Sequence, residues 1–298
     1  MRVARRFSRF ARSLLAAPAL ALANAALAHA PVDSADGFHP WTIDFAGFVL
    51  LLVLAFVYAA GQMRLSRRAR ADHAPRSAMF WCGWASLALA LTPPIDTLSA
   101  VSFAVHMTQH EMMMLVAAPL LVISRPLGTL LWGLPRILGA AITSHALRRA
   151  GAWLSAPLVA WLTHAIVLWA WHVPAAFEAS LRSTPIHWVQ HTSFFAAAAI
   201  YWWSVFGGPR TERRGVALLS VFTTAVHTTV LGTLLTFSKT LWYPTYGRVE
   251  RPWALSAIED QQLGGLIMWV PGGMVFLIAG IALAALWLKE SEVHAARG

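Results

Sequence analysis

Seven apolar segments, at about 42–62, 77–97, 103–123, 155–172, 186–206, 215–236 and 262–288, leave this chain few ways to fold. Each is close to the ~20 residues a helix rising 1.5 Å per residue needs to cross about 30 Å of hydrocarbon. Lipid offers no partner for backbone N–H and C=O groups, so segments of this length and composition must form helices. The stretches between them are short and rich in Pro, Gly and charge, and no repeat or separate soluble unit interrupts the pattern. The expected fold is all-α: one polytopic membrane helix bundle, over residues 31–298, with seven transmembrane helices after a signal peptide.

The first thirty residues form a different kind of unit. "MRVARRFSRFAR" carries five arginines, Ser13 to Leu27 is apolar, and "ALAHA" ends in small residues at the spacing of a signal-peptidase site. Residues 1–30 are therefore expected to be a signal peptide cut after Ala28, or an uncleaved first helix that raises the count to eight. Either form delivers Pro31 to the outer side.

The formal charge of +10 implies no nucleic-acid partner here, because the positions of the basic residues carry the information. Fourteen of the 23 Lys and Arg lie after the first, third and fifth spans and in the C-terminal tail, among them Arg64, Arg70, Arg125, Arg149, Arg213 and Lys289. The opposite loops carry only Arg182, Lys239, Arg248 and Arg251. The positive-inside rule then puts the mature N-terminus outside and the C-terminus in the cytoplasm of a bacterial inner membrane.

With the sides assigned, polar residues of four spans reach one level. His106 and His110 of "VHMTQHEMMM" lie one turn apart on one face near the outer end of the third span. His172 closes the fourth span in "WAWHVP", His187 and His191 open the fifth in "IHWVQHTSFF", and Asp260 stands at the mouth of the seventh. Ionisable groups inside a span face the bundle interior and pair or bind something, so this level is a candidate site. A single His at an interface is usually an anchor, and His29, His39, His73, His145 and His294 are assigned nothing.

The lone cysteine, Cys82, excludes an intrachain disulfide and a CxxC motif, so a metal would have to be held by His, Met or carboxylate. Neutral imidazoles suit copper, zinc or iron, and the thioethers of Met107, Met113 or Met268 would favour Cu(I). Glu111 points about 100° away from His110 and reads as a group beside the site. "HEMMM" lacks the second histidine of HExxH, and with no nucleophile beside a base and no phosphate-binding glycine loop the chain reads as a non-enzyme.

"HMTQHEMMMLVAAPLLVISRPL", "LWAWHVPAAFEASLRSTPIHWVQHTSFFAAAAIYWW", "LGTLLTFSKTLWYPTY" and "EDQQLGGLIMWVPGG" resemble the CtaG family of bacterial cytochrome c oxidase assembly factors, over about residues 40 to 288. The resemblance implies a seven-span inner-membrane protein needed to assemble a haem-copper oxidase, handling copper and serving oxidase subunits or copper-delivery proteins at the periplasmic face. The positions that match the family's motifs are His106, His110, His172, His187, His191 and Asp260.

Two rival readings use the same residues. A b-type cytochrome would ligate haem with one His from each of two spans, and His164 and His227 lie at a deeper level suited to that. A metal transporter would explain the polar "TTAVHTTVLGT" and Gly264, Gly265, Gly272 and Gly273, but no inverted repeat supports transport and close helix packing at small residues is the favoured reading. The outer loop 238–262 either lies in the headgroup belt, covers the His level or docks a partner.

Overall fold

The computed structural model describes residues 44–207 and 214–295, so the leader and the first residues of the first apolar segment lie outside the described residues. Within them every regular element is helical and there is no strand. Helices α1 (Phe45–Arg64) and α2 (Arg67–Ala90) are followed by a short α3 (Ile95–Ser99). Next come α4 (Phe103–Glu111), a π turn (Met112–Ala117) and α5 (Ala118–Ser124), which together form one long rod. Three small helices, α6 (Leu127–Gly133), α7 (Arg136–Ile142) and α8 (His145–Leu154), fill a stretch that composition alone reads as loop. The remaining helices are α9 (Pro157–His172), α10 (Pro174–Arg182), α11 (Thr184–Phe206), α12 (Arg214–Thr236) and α13 (Ala257–Ala295).

Among the described residues, four helical stretches are long and apolar enough to cross a membrane: Gly47–Arg64, Phe103–Ser124, Arg214–Thr236 and Ala257–Glu292. Helices α8 and α9, bent by 74°, make a fifth if the pair is taken as one span. The segments expected at 77–97 and 186–206 also lie on helices, but α2 opens on the polar "RRARADHAPR" and the first two turns of α11 carry His187, Gln190 and His191. The segment expected to run to residue 97 stops at Ala90, because Pro93 and Pro94 follow and proline removes the amide a helix would use.

The rod over 103–124 is the centre of the molecule. One of its faces, including Phe103, Met107 and Met114, joins the larger apolar core with Phe194, Tyr201, Trp202, Met268 and Phe276. The opposite face, through Met113, Ala117 and Leu121, packs on α1 and α2 around Leu51, Tyr58 and Phe80. All three methionines singled out as thioether ligands are thus buried core residues.

The π turn has a cause in the sequence. Pro119 has no amide hydrogen, so the ladder above it cannot close in the ordinary i−4 pattern, and Ala118 N–H reaches back five residues to Met113 C=O. Carbonyls left over are taken by neighbouring helices, Met114 C=O by Trp202 Nε1–H at 2.9 Å and Met112 C=O by the Ser86 hydroxyl at 3.3 Å. Glycines let α13 approach two partners at once. Gly264 faces Phe103 and Met107 of α4, and Gly265 faces Gly232 and Thr236 of α12. The packing explanation therefore accounts for Gly264 and Gly265, and Gly272 gives room to the Glu111 carboxyl.

Candidate metal centre

Helix α4 is held at its start by two other parts of the chain. Ser102 caps it conventionally, its hydroxyl oxygen accepting from Val105 N–H at 3.2 Å. The same hydroxyl donates to Asp260 Oδ1 at 2.6 Å, while Asp260 Oδ2 accepts from Phe103 N–H at 2.7 Å. A buried carboxylate from α13 thereby sits on the positive end of α4, where its charge is favourable. Both Asp260 oxygens are engaged there.

One and two turns further along α4, His106 and His110 point into the bundle, 1% and 4% exposed. Their Nε2 atoms are 3.1 Å apart. His191 of α11 faces them from the other side, its ring centroid 5.2 Å from that of His110 and 6.0 Å from that of His106. Among the described residues, His106, His110 and His191 form the one group whose donor atoms all lie within 4.8 Å of one another. His187 stands beside it, its ring 4.0 Å from His191 and 5.5 Å from His106. His172 does not join the group of three. It shares Phe177 and Phe194 with it, and its Nδ1 is 2.7 Å from Leu168 C=O.

The long loop between α12 and α13 folds over this level. Tyr243 and Tyr246, 0% and 1% exposed, descend from it as the ends of the short turn "YPTY". Tyr243 stacks on Phe103 at 4.9 Å and donates its hydroxyl to His172 C=O at 3.0 Å. Tyr246 donates to Ser99 C=O at 2.9 Å and lies 2.9 Å from His106 Nδ1. Burial first, then the nearby Asp260, Tyr243 and Glu178, pushes the Tyr246 hydroxyl well above its ordinary pKa, so it stays a donor. Of the three roles open to the loop, the structure shows it covering the His level.

That pair of contacts assigns a tautomer. Because the Tyr246 hydrogen goes to Ser99, the phenolic oxygen must accept from His106, which places the proton on Nδ1 and leaves the Nε2 lone pair facing His110. A histidine tied at Nδ1–H to an oxygen, with its Nε2 lone pair turned toward other donor nitrogens, is oriented as metal-ligating histidines are. Two ligands about 2.0 Å from one tetrahedral ion stand about 3.3 Å apart, close to the 3.1 Å observed. His110 Nδ1 is buried with no hydrogen-bond partner.

The loop is pinned by α10. Glu178 accepts from Thr245 N–H at 3.0 Å, from the Thr245 hydroxyl at 2.7 Å and from Arg182 at 2.6 Å. Burial opposes ionisation of Glu178, but those hydrogen bonds and the Arg182 charge outweigh it and hold the carboxyl below its ordinary value. A cavity of about 240 Å³ between α1, α2 and α11 reaches His187 and His191 past Asp44, Asp96 and Trp188. Tyr246, Tyr243, Ser102 and Glu178 were not anticipated from sequence. Their only local signal is a pair of tyrosines around proline, which equally suits a headgroup belt.

Comparison with known proteins gives the family context. The model of the family described as cytochrome c oxidase caa3 assembly factor (Caa3_CtaG) matches residues 56–290. Relatives include uncharacterized proteins of Mycobacterium bovis and Mycobacterium tuberculosis, each 26% identical over 268 residues, covering 86% of this chain and 40% of theirs. A third, from Mycobacterium leprae, is 25% identical over 275 residues, 87% of this chain and 41% of its own. The chain thus spans about two fifths of the length of these curated relatives. No solved structure matches it.

Proposed function

The chain belongs to the cytochrome c oxidase caa3 assembly factor family, and from that premise we propose that it holds copper, as cargo for a haem-copper oxidase, on His106, His110 and His191. The observation that carries this is the buried group of three imidazoles, with His106 Nε2 turned toward His110 Nε2 by its contact to Tyr246. Nitrogen donors without a carboxylate among them suit copper better than calcium or magnesium. His187 and His172 stand next to the group and suit a passing ion, and Asp260 acts as a positioning residue that fixes the start of α4. The cavity past Asp44 and Asp96 supplies a way in. The ion would be passed to oxidase subunits or received from copper-delivery proteins on the outer face.

The test is copper content of the purified full-length protein. About one tightly held copper is expected at this centre, collapsing in His110→Ala and His191→Ala but not in His73→Ala. Tyr246→Phe keeps the ring and removes the oxygen that orients His106, so copper affinity should fall by about 10–100-fold, and the unpaired Ser99 C=O and His106 Nδ1–H should also lower the melting temperature. Unchanged copper binding in His110→Ala and His191→Ala would end this reading.

The proposal carries a topology: seven spans behind a cleaved leader, the His level outside and the C-terminus in the cytoplasm. A phosphatase reporter, active only outside, fused after Gly298 should be silent, while a fluorescent protein fused there should mature. Phosphatase activity at that position would reverse the sides and with them the direction of copper delivery.

A further inference from the structure

Below the level of the three histidines, a second pair of imidazoles meets inside the bundle. On α9 the buried residues Ala160, His164, Leu168 and His172 recur every four positions, so His164 shares a face with His172 two turns away. Eight residues at 1.5 Å each put it about 12 Å further in, near the middle of about 30 Å of hydrocarbon. His227 arrives from α12, nine residues before Thr236 at the same end, and so at a matching depth. The two ring centroids are 6.1 Å apart. Tyr201 packs on His164 at 4.9 Å and Trp161 on His227 at 5.9 Å.

All four ring nitrogens are shielded from solvent and have no hydrogen-bond partner, and neither has the indole Nε1 of Trp161. His164 is 1% exposed. Phenylalanine or leucine at both positions would fill the space without stranding a polar atom, and in hydrocarbon no water repays that loss. The rings also stand too far apart for the direct N–H···N bond that His106 and His110 make. What they lack is a third body between them.

We propose that His164 and His227 form a second, deeper metal site that takes a monovalent soft cation, Cu(I), between one nitrogen of each ring. Two imidazoles on opposite sides of an ion, each nitrogen about 2 Å from it, have centroids about 6 Å apart, the spacing found here. Charge selects the oxidation state. Helices α9, α11 and α12 carry no Asp or Glu at all, and residues 261–289 of α13 carry none either. The cost of burying an ion rises with the square of its charge, so a divalent ion would lose about four times as much as a monovalent one, and the two helices that carry the pair offer no carboxylate to offset it; Glu111 lies on another helix, against Gly272. Two-coordinate nitrogen ligation without an anion is within the range of Cu(I). His172, whose Nε2 is buried and unpartnered, stands on the same stripe between the outer group and this pair. The choice of copper rests on the reading of the outer group; the need of the pair for a bridging ion does not.

The experiment is anaerobic titration of the purified full-length protein with Cu(I) against a competing chelator, with X-ray absorption on the loaded samples. Wild type should bind two equivalents. The His164→Gln/His227→Gln double variant, which keeps polarity and approximate volume, should bind one, and His110→Ala should bind one with a spectrum of two nitrogen ligands. Circular dichroism melting of each variant reports whether it folds, and the single His227→Gln variant, altered at the less buried partner, must also lose one equivalent. Wild type binding one ion that disappears in His110→Ala would overturn the inner site and leave the outer reading standing. One ion that survives His110→Ala and disappears in the double variant would do the reverse. A Soret band lost in the double variant would identify haem and overturn the Cu(I) assignment, and no binding at all would remove both sites.

Discussion

Asp260→Ala is expected to produce the largest loss of stability of any single change at the metal centre, and Asp260→Asn a small one. Alanine strands Phe103 N–H and the Ser102 hydroxyl, both buried, and each unsatisfied donor costs about 1–3 kcal/mol. It also takes a negative charge from the N-terminus of α4, worth roughly 0.3–1 kcal/mol, on a scale where whole domains hold only about 5–15 kcal/mol. Asparagine can accept from Phe103 with its carbonyl and donate to the Ser102 oxygen with its amide, so the charge term and the acceptor of the Ser102 hydrogen are lost while both polar side chains stay paired. Thermal unfolding in detergent should therefore rank wild type, Asn and Ala in that order with a wide gap before Ala. Copper content of the Asn variant decides the role of the residue. A positioning residue predicts nearly normal copper, whereas an empty centre in a well-folded Asn variant would make Asp260 a ligand.

That contrast shows which part of the site could be read from the chain and which could not. The i,i+4 spacing of His106 and His110, and of His187 and His191, is local, and helical geometry alone puts each pair on one face. Their shared level follows from the basic loops and the ends of the apolar runs. The partner of Asp260 lies 157 residues away at Phe103, and that of His106 lies 140 away at Tyr246, so neither had a local pattern to betray it. The π turn is an intermediate case. Pro119 stands in plain sight within "LVAAPLLVI", yet the run around it has the length and apolarity of an unbroken helix, and only the donors on Trp202 and Ser86 show how the gap is closed. The three small helices between Leu127 and Leu154 escaped because Pro, Gly and charge there resemble loop composition, while helices of seven to ten residues leave no long periodic signal.

Glycines of one helix should divide sharply by what they face, and α13 offers the comparison within nine residues. A methyl on Gly265 would lie 2.6 Å from Thr236 N and 2.7 Å from Gly232 O, and one on Gly232 would lie 2.8 Å from Gly265 O. These are backbone atoms, which cannot rotate away, so the helices must separate where α12 and α13 now touch along most of their length. Overpacking of this kind costs about 1–3 kcal/mol or more, and the far end of the pair is tied by Arg214 and Glu290 at 2.7 Å, which resists a rigid shift. Gly273 has nothing within 4 Å. There alanine only removes the helix penalty of glycine, a gain of up to about 1 kcal/mol. Gly265→Ala is therefore expected to lower the melting temperature and Gly273→Ala to leave it equal or higher. Because Gly264 holds the same helix against Phe103, the displacement should pull Asp260 from the start of α4, and Gly265→Ala should lose copper without touching a single histidine. Equal melting temperatures for the two alanine variants would show that α12 and α13 do not cross as closely as described.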